Sequence, residues 1–292
     1  MYLDFYRLKE FPFAITCDER FFYESAAHAE ALANMIYTVG QHKGMVLVTG
    51  EVGAGKTFLG NMLHTRLGPG CLTVMMRNPA QSSKQLVRAV AVAAGINVRA
   101  SADKLSLVEQ LEEHLRRLRN RGRLVALIVD EAQDLPAVAL EEIRLLWNWE
   151  YDGQRLVQIV LIGQPELRQK LQQAKWEPLR QRIVLSYHLK HLPPAETSAY
   201  IEHRLRVAAA EDCLAVFTPQ ARAAIHAATD GIPRLINVLC DNALLAGYAK
   251  GIHRIDASIV GEVLRDMTCW GLQVPEAGLA EAPDRPADAR VR

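Results

Sequence analysis

A glycine-rich segment lies near the start of the chain, between a predicted strand and a predicted helix. The apolar run Met45 to Thr49 before it is typical of a buried strand, and helical periodicity begins at Lys56. The segment matches GxxxxGK[ST] at every specified position. Its eight residues are Gly50, Glu51, Val52, Gly53, Ala54, Gly55, Lys56 and Thr57. This context predicts a phosphate-binding loop in an α/β fold. A glycine-rich turn that contains Lys and Thr by coincidence is the alternative.

The residue types in this segment suit a phosphate ligand. Glycines allow backbone N–H groups to surround phosphate oxygens, and the start of a helix adds favourable partial charge. We expect the whole loop and Phe58 to bind the nucleotide, with Lys56 reaching the β and γ phosphates and Thr57 offering its hydroxyl to a metal ion. The segment therefore predicts a site for ATP and Mg²⁺.

Two carboxylates follow another apolar run, Leu124 to Val129. They are Asp130 and Glu131, and ligands of open α/β sheets bind at the carboxyl ends of such strands. We expect Asp130 to hold the Mg²⁺ shell, and Glu131 to orient and deprotonate the attacking water as the catalytic residue. For a lone Asp–Glu pair, an ordinary cap or turn is the alternative.

Buried strands alternate with helical segments through the first two thirds of the chain. Apart from the two runs already named, strands are predicted at residues 71–76, 156–162 and 183–189. Strands that alternate with helices form βαβ units, which favour a parallel sheet covered on both faces.

The strand signals stop at about Pro193, and helical patterns replace them. After Trp270 the chain is rich in Pro, Ala and charge, which is typical of disorder. We therefore expect a P-loop core over residues 1–190, a helical subdomain over 191–270 and a disordered tail over 271–292.

The overall charge is nearly balanced, with 34 Lys and Arg against 33 Asp and Glu. This balance does not favour DNA as a partner, although His114 to Arg123 contains five arginines. A solvated helix end explains that run as well. The N-terminus lacks a basic start followed by a long apolar run, and no apolar run is long enough to cross a membrane. We expect a cytoplasmic protein without a membrane span.

The order of motifs resembles a known family. After the phosphate loop come VDEAQDL at Val129 to Leu135, IGQPEL at Ile162 to Leu167, LRQRI at Leu179 to Ile183 and GIPRLIN at Gly231 to Asn237. Over residues 1–270 this order is similar to the AAA+ ATPase domain of the general secretion pathway protein A (ExeA) type. That type belongs to a wider grouping with the Orc/Cdc6-like and TniB-like ATPases.

The resemblance implies a fold and additional site residues. The sheet order would be 5-1-4-3-2, and the helical subdomain would close over the nucleotide as a lid. Gln164 matches the sensor 1 position and Arg234 the sensor 2 position. Arg182, or alternatively Arg180, matches an arginine finger that completes the site of a neighbouring subunit, so the resemblance implies a homo-oligomer. For each of these residues an ordinary structural role is the alternative.

The adenine pocket would lie in the N-terminal stretch, with Phe13, Phe22 and Tyr23 as candidate walls. Core packing is an equally good explanation for these aromatic residues.

The resemblance leads to a first hypothesis of function. The chain would hydrolyse ATP to drive assembly of a cell-envelope secretion, pilus or polysaccharide export system, through a protein client. Longer family members continue into a membrane span and a peptidoglycan-binding module, and this sequence stops before either. The alternatives are a transposition-type ATPase that acts on DNA, and a switch in which ATP binding alone sets a protein-binding state.

Overall fold

The computed structural model describes residues 2–16, 18–78, 82–209 and 216–269. The described residues form two compact units, one within residues 17–190 and the other within residues 1–16 and 191–292. The predicted tail, residues 271–292, lies outside the described residues. No helix in the described part of the chain is both long and apolar enough to cross a membrane.

Seven strands are described in the first unit. They are β1 (Met45–Gly50), β2 (Cys71–Met76), β3 (Leu124–Val129), β4 (Glu150–Tyr151), β5 (Gln154–Arg155), β6 (Gln158–Gly163) and β7 (Ile183–Leu189). Strands β4 and β5 form a separate antiparallel ribbon, and the other five form a parallel sheet in the order β2-β3-β6-β1-β7. If the two ribbon strands are left out of the numbering, β6 becomes the fourth strand and β7 the fifth. The order is then 2-3-4-1-5, which is the predicted order 5-1-4-3-2 written in reverse. The predicted α/β fold and its sheet order are therefore confirmed.

The helices of this unit cover both faces of the sheet. They are α2 (Ala26–Gly40), α3 (Lys56–Leu67), α4 (Ser83–Ala93), α5 (Lys104–Asn120), α6 (Ala137–Trp147), α7 (Pro165–Gln172) and α8 (Glu177–Arg180). Side chains of a strand alternate between the two faces. In β1, Met45 and Leu47 join the core under α4 to α6, whereas Val46 and Val48 join the core under α2 and α3. This two-sided burial explains why β1 is a continuous apolar run.

The second unit consists of helices. They are α1 (Tyr2–Phe5), α9 (Pro194–Ala208), α10 (Pro219–Thr229), α11 (Pro233–Ala249) and α12 (Ala257–Cys269). Helix α11 contributes the largest buried stripe, which includes Ile236, Cys240 and Leu244. A helical subdomain was predicted over residues 191–270.

Residues 2–16 pack with these helices, although they were predicted to belong to a P-loop core over residues 1–190. Tyr6 donates a hydrogen bond to the carbonyl of Ile252 at 2.9 Å. The buried guanidinium of Arg204 donates to the carbonyls of Pro12, at 2.5 Å, and Ala14, at 2.9 Å. These partners are separated by about 190 residues or more, so no local sequence pattern could indicate the pairing.

A tight backbone approach precedes α11, at Gly231. This residue has a φ of +71°, and a Cβ there would lie 2.0 Å from the carbonyl oxygen of Leu192. We expect Gly231→Ala to lower the free energy of unfolding by about 3 kcal/mol or more, because both backbone strain and a clash oppose it. Chemical denaturation followed by circular dichroism measures the loss.

Gly251 offers a matched control in the same unit. It has a φ of +68° with nothing within 4 Å of an added Cβ. Gly251→Ala should therefore cost only the left-handed backbone penalty, about 1–2 kcal/mol. Equal losses for the two variants would show that the chain relaxes around Leu192 and that the close approach does not determine stability.

Candidate active site

The phosphate-loop segment joins β1 to α3 at the carboxyl edge of the sheet, which is the side where the parallel strands end. Gly53 and Gly55 adopt left-handed backbone conformations, with φ of 84° and 92°, and Gly55 is the residue that caps α3. The first N–H groups of a helix have no partner within the helix. The loop therefore presents backbone donors and the positive end of α3 at one place, which suits a phosphate group.

Lys56 is only 6% exposed and lies across this loop. Its Nζ donates to the carbonyls of Gly50 and Glu51, at 2.8 Å each. Burial lowers the pKa of Lys56, and the nearby carboxylates of Glu131 and Asp130 act in the opposite direction. The ammonium is thus held at the loop by bonds that a phosphate oxygen can replace.

Thr57 and Asp130 meet at the junction of α3 and β3. The Thr57 hydroxyl donates to Oδ2 of Asp130 at 2.7 Å, and Oδ1 of Asp130 accepts from the backbone N–H of Glu131 at 2.9 Å. Asp130 is 5% exposed. Mg²⁺ prefers hard oxygen ligands, and the Thr57 oxygen keeps acceptor lone pairs while it donates its hydrogen. These two residues therefore fit the predicted metal site.

Glu131 lies beside Asp130 in a left-handed backbone conformation, with φ of 50°. Its carboxylate accepts hydrogen bonds from Gln164 Nε2 at 3.4 Å and from Gln133 Nε2 at 2.8 Å. The structure thus brings the predicted base and the predicted sensor 1 residue together, although they are 33 positions apart in the sequence.

Gln133 links these two residues and was not predicted. Its Oε1 accepts from the backbone N–H of Gln164 at 3.0 Å, while its Nε2 binds Glu131. Lys170 Nζ in turn donates to the carbonyls of Gln133 and Leu135. An amide two residues after a strand-end carboxylate was the available signal for Gln133, but the bond to Gln164 depends on the β3–β6 pairing.

Arg182 lies at the amino edge of the sheet, which is the side where the parallel strands begin and is opposite the phosphate loop. It directly precedes β7, and its carbonyl accepts from the N–H of Met45 at the start of β1. A six-residue strand spans about 20 Å, so Arg182 is separated by roughly that distance from the phosphate loop of its own chain. Arg182 was predicted to act with the catalytic residues, and within one chain the structure does not bring it to them.

Specific contacts position this arginine. Arg182 Nε donates to Asn148 Oδ1 at 3.2 Å, and the guanidinium lies 5.4 Å from the centre of the Trp147 ring. Arg180, the alternative finger, is exposed and donates to the carbonyl of Gln172 at 3.1 Å. Both arginines thus remain candidates only for the site of another subunit.

Arg234 lies in the first turn of α11, in the helical unit, and its side chain is exposed. Its predicted contact with the nucleotide stays a prediction.

The three aromatic candidates for an adenine pocket lie in different places. Phe22 stacks on Phe58 beside the loop, with ring centres 5.0 Å apart. Tyr23 is half-buried next to Phe22 in the same unit. Phe13 belongs to the helical unit, where it is 2% exposed and packs against Phe217. Its burial is explained by that core.

Comparisons with known proteins agree with this fold. A family model described as an AAA domain matches residues 39–171. General secretion pathway protein A from Aeromonas hydrophila is 39% identical over 287 residues, which cover 95% of this chain and 52% of that protein. This chain therefore spans about half the length of that curated relative.

Solved structures share the fold at low identity. Cdc6p from Pyrobaculum aerophilum has a TM-score of 0.68 at 16% identity, covering 90% of this chain and 74% of that one. The Orc2 protein from Aeropyrum pernix, in ADPNP–ADP complexes, has a TM-score of 0.62 at 19% identity, covering 85% and 72%. Together with the P-loop and the parallel sheet order, these matches show that the chain has the AAA+ P-loop fold with an AAA domain over residues 39–171, and that it is similar to general secretion pathway protein A.

Proposed function

We propose that this chain binds ATP with Mg²⁺ and hydrolyses it at the carboxyl edge of its sheet. The observation that carries the proposal is the hydrogen-bond network next to the phosphate loop. Thr57 binds Asp130, Asp130 binds the Glu131 backbone, and the Glu131 carboxylate is held by two glutamine amides. This arrangement supports the proposal because the oxygens proposed to hold the metal and the carboxylate proposed as the base lie side by side, as phosphoryl transfer to water requires.

Each group has a proposed task in the reaction. The loop amides and Lys56 bind the phosphates, and Glu131 accepts a proton from the attacking water. The water oxygen forms a bond to the γ phosphorus as the bond from that phosphorus to the bridging oxygen breaks, which yields ADP and phosphate. Gln164 orients the water. Mg²⁺ held by Thr57 and Asp130 would neutralise phosphate charge.

A second subunit would complete this site. Arg182 lies at the amino edge of the sheet, whereas the phosphate loop lies at the carboxyl edge, so a finger contact requires a head-to-tail arrangement of two copies. Asn148 and Trp147 support this role because they hold the Arg182 guanidinium in place before any neighbour arrives.

We propose in addition that hydrolysis drives assembly or remodelling of a cell-envelope secretion, pilus or polysaccharide export system. The support is the 39% identity to general secretion pathway protein A. The client would be a protein that binds the oligomer. DNA as the partner remains the alternative, and so does a switch driven by ATP binding alone.

A measurement of steady-state ATPase rate against protein concentration tests the enzymatic proposal. We expect a Mg²⁺-dependent rate per subunit that rises with concentration and disappears in Lys56→Ala, because that variant loses the ammonium at the loop. A wild type without nucleotide binding would refute the proposal. Double-stranded DNA added to the same assay separates the alternatives, since a strong stimulation would favour a DNA-associated role over an envelope role.

A further inference from the structure

A buried histidine in α2 contacts the phosphate loop. His28 is 4% exposed, and its Nε2 lies 3.2 Å from the carbonyl oxygen of Ala54, in the middle of the loop. Its Nδ1 lies 2.7 Å from the hydroxyl of Ser25, which is 1% exposed. We propose that His28 is a positioning residue that orients the Ala54–Gly55 peptide for phosphate binding. The inference rests on the nucleotide site proposed above.

The hydrogen-bond partners assign the protons of this ring. A carbonyl oxygen only accepts, so Nε2 must carry the hydrogen that it donates to Ala54. In the neutral ring Nδ1 then accepts, and the Ser25 hydroxyl donates to it. Ser25 Oγ can do so while it accepts from the backbone N–H of His28 at 3.3 Å. Ser25 therefore selects the tautomer that His28 needs in order to bind the loop.

This bond sets the direction of a backbone donor. In a planar trans peptide the C=O and the following N–H point to opposite sides. Because the Ala54 carbonyl accepts from His28 of α2, the N–H of Gly55 points away from α2. That N–H is one of the donors expected to surround the phosphates.

Gly55 also packs against the ring itself. Its φ is +92°, and a Cβ there would lie 3.0 Å from His28 Nε2. A glycine-rich loop has many accessible conformations, and a ligand that must order it binds more weakly. His28 removes part of that freedom before the ligand arrives, because it ties one peptide of the loop to a helix that belongs to the core.

A set of four proteins tests this inference through binding of ADP with Mg²⁺, measured by calorimetry, together with thermal unfolding. They are the wild type, His28→Leu, His28→Gln and Tyr187→Phe. We expect His28→Leu to weaken ADP binding about tenfold because the donor is lost. His28→Gln places an amide N–H near the same position and should stay within about threefold of wild type, as a retained hydrogen bond predicts.

Tyr187→Phe is the matched control. Tyr187 donates to Glu30 of the same helix at 3.1 Å, so this variant loosens α2 without touching the loop. It should bind ADP like the wild type. The inference is overturned if folded His28→Leu binds ADP as tightly as the wild type, or if His28→Gln binds as weakly as His28→Leu. A wild type that does not bind ADP would instead refute the nucleotide site itself.

A spectroscopic measurement remains decisive even if His28→Leu does not fold. Long-range ¹H–¹⁵N correlation in the wild type should show His28 as the neutral tautomer with the proton on Nε2. In Ser25→Ala the preference for that tautomer should fall, and ADP binding should weaken with it. A neutral ring with its proton on Nδ1 alone in the wild type would overturn the inference, because Nε2 could not then donate to Ala54.

Discussion

An Arg182→Ala variant is expected to lose ATPase activity by a factor of about 10³ to 10⁵, the range for an arginine that stabilises charge on the transferring phosphoryl group. ATP binding should change little, because Arg182 lies at the opposite edge of the sheet from the phosphate loop of its own chain. The measurement is the steady-state rate at a protein concentration where the wild type is assembled. Arg180→Ala is the control, since it removes a neighbouring exposed arginine.

Mixing of two inactive variants tests whether Arg182 acts on another subunit. Arg182→Ala retains Glu131, and Glu131→Gln retains Arg182. In a head-to-tail oligomer, a Glu131→Gln subunit can supply its arginine to the intact site of an Arg182→Ala neighbour. Activity should therefore return on mixing. A mixture that stays inactive, or an Arg180→Ala loss as large as that of Arg182→Ala, would contradict the assignment.

A Glu131→Gln variant is expected to lower the rate of hydrolysis by a factor of about 10² to 10⁴, the usual contribution of a positioned general base. Glutamine keeps the volume of the side chain but cannot accept the proton of the attacking water at neutral pH. Binding of ATP should be retained, because the loop and Lys56 are unchanged. Single-turnover hydrolysis and a separate ATP-binding titration measure the two effects.

Asp134 provides the matched control for Glu131. It is exposed, and it accepts from the same Gln133 amide at 3.3 Å. Asp134→Asn should therefore hydrolyse ATP at close to the wild-type rate. If Glu131→Gln also turned over at the wild-type rate, the base would have to be another group and the proposed role of Glu131 would be wrong.

The lysine, threonine and carboxylates of the proposed site were predictable from sequence because each belongs to a short motif next to a strand. Strand β1 ends at Gly50 and β3 ends at Val129, so the residues that follow them lie at the same edge of a parallel sheet. Lys56, Thr57, Asp130 and Glu131 follow from that rule. Gln133 was missed because its partner Gln164 depends on the pairing of β3 with β6.

The five strands of the parallel sheet and the residues of the phosphate loop could be read from sequence, because apolar periodicity and the glycine pattern are local properties of the chain. Which distant groups come into contact could be learned from the folded structure alone. In the structure, His28 contacts Ala54, residues 2–16 pack with the helical unit, and Arg182 lies at the amino edge of the sheet. These contacts depend on strand order and on the packing of separate helices, which are properties of the folded chain and have no local pattern.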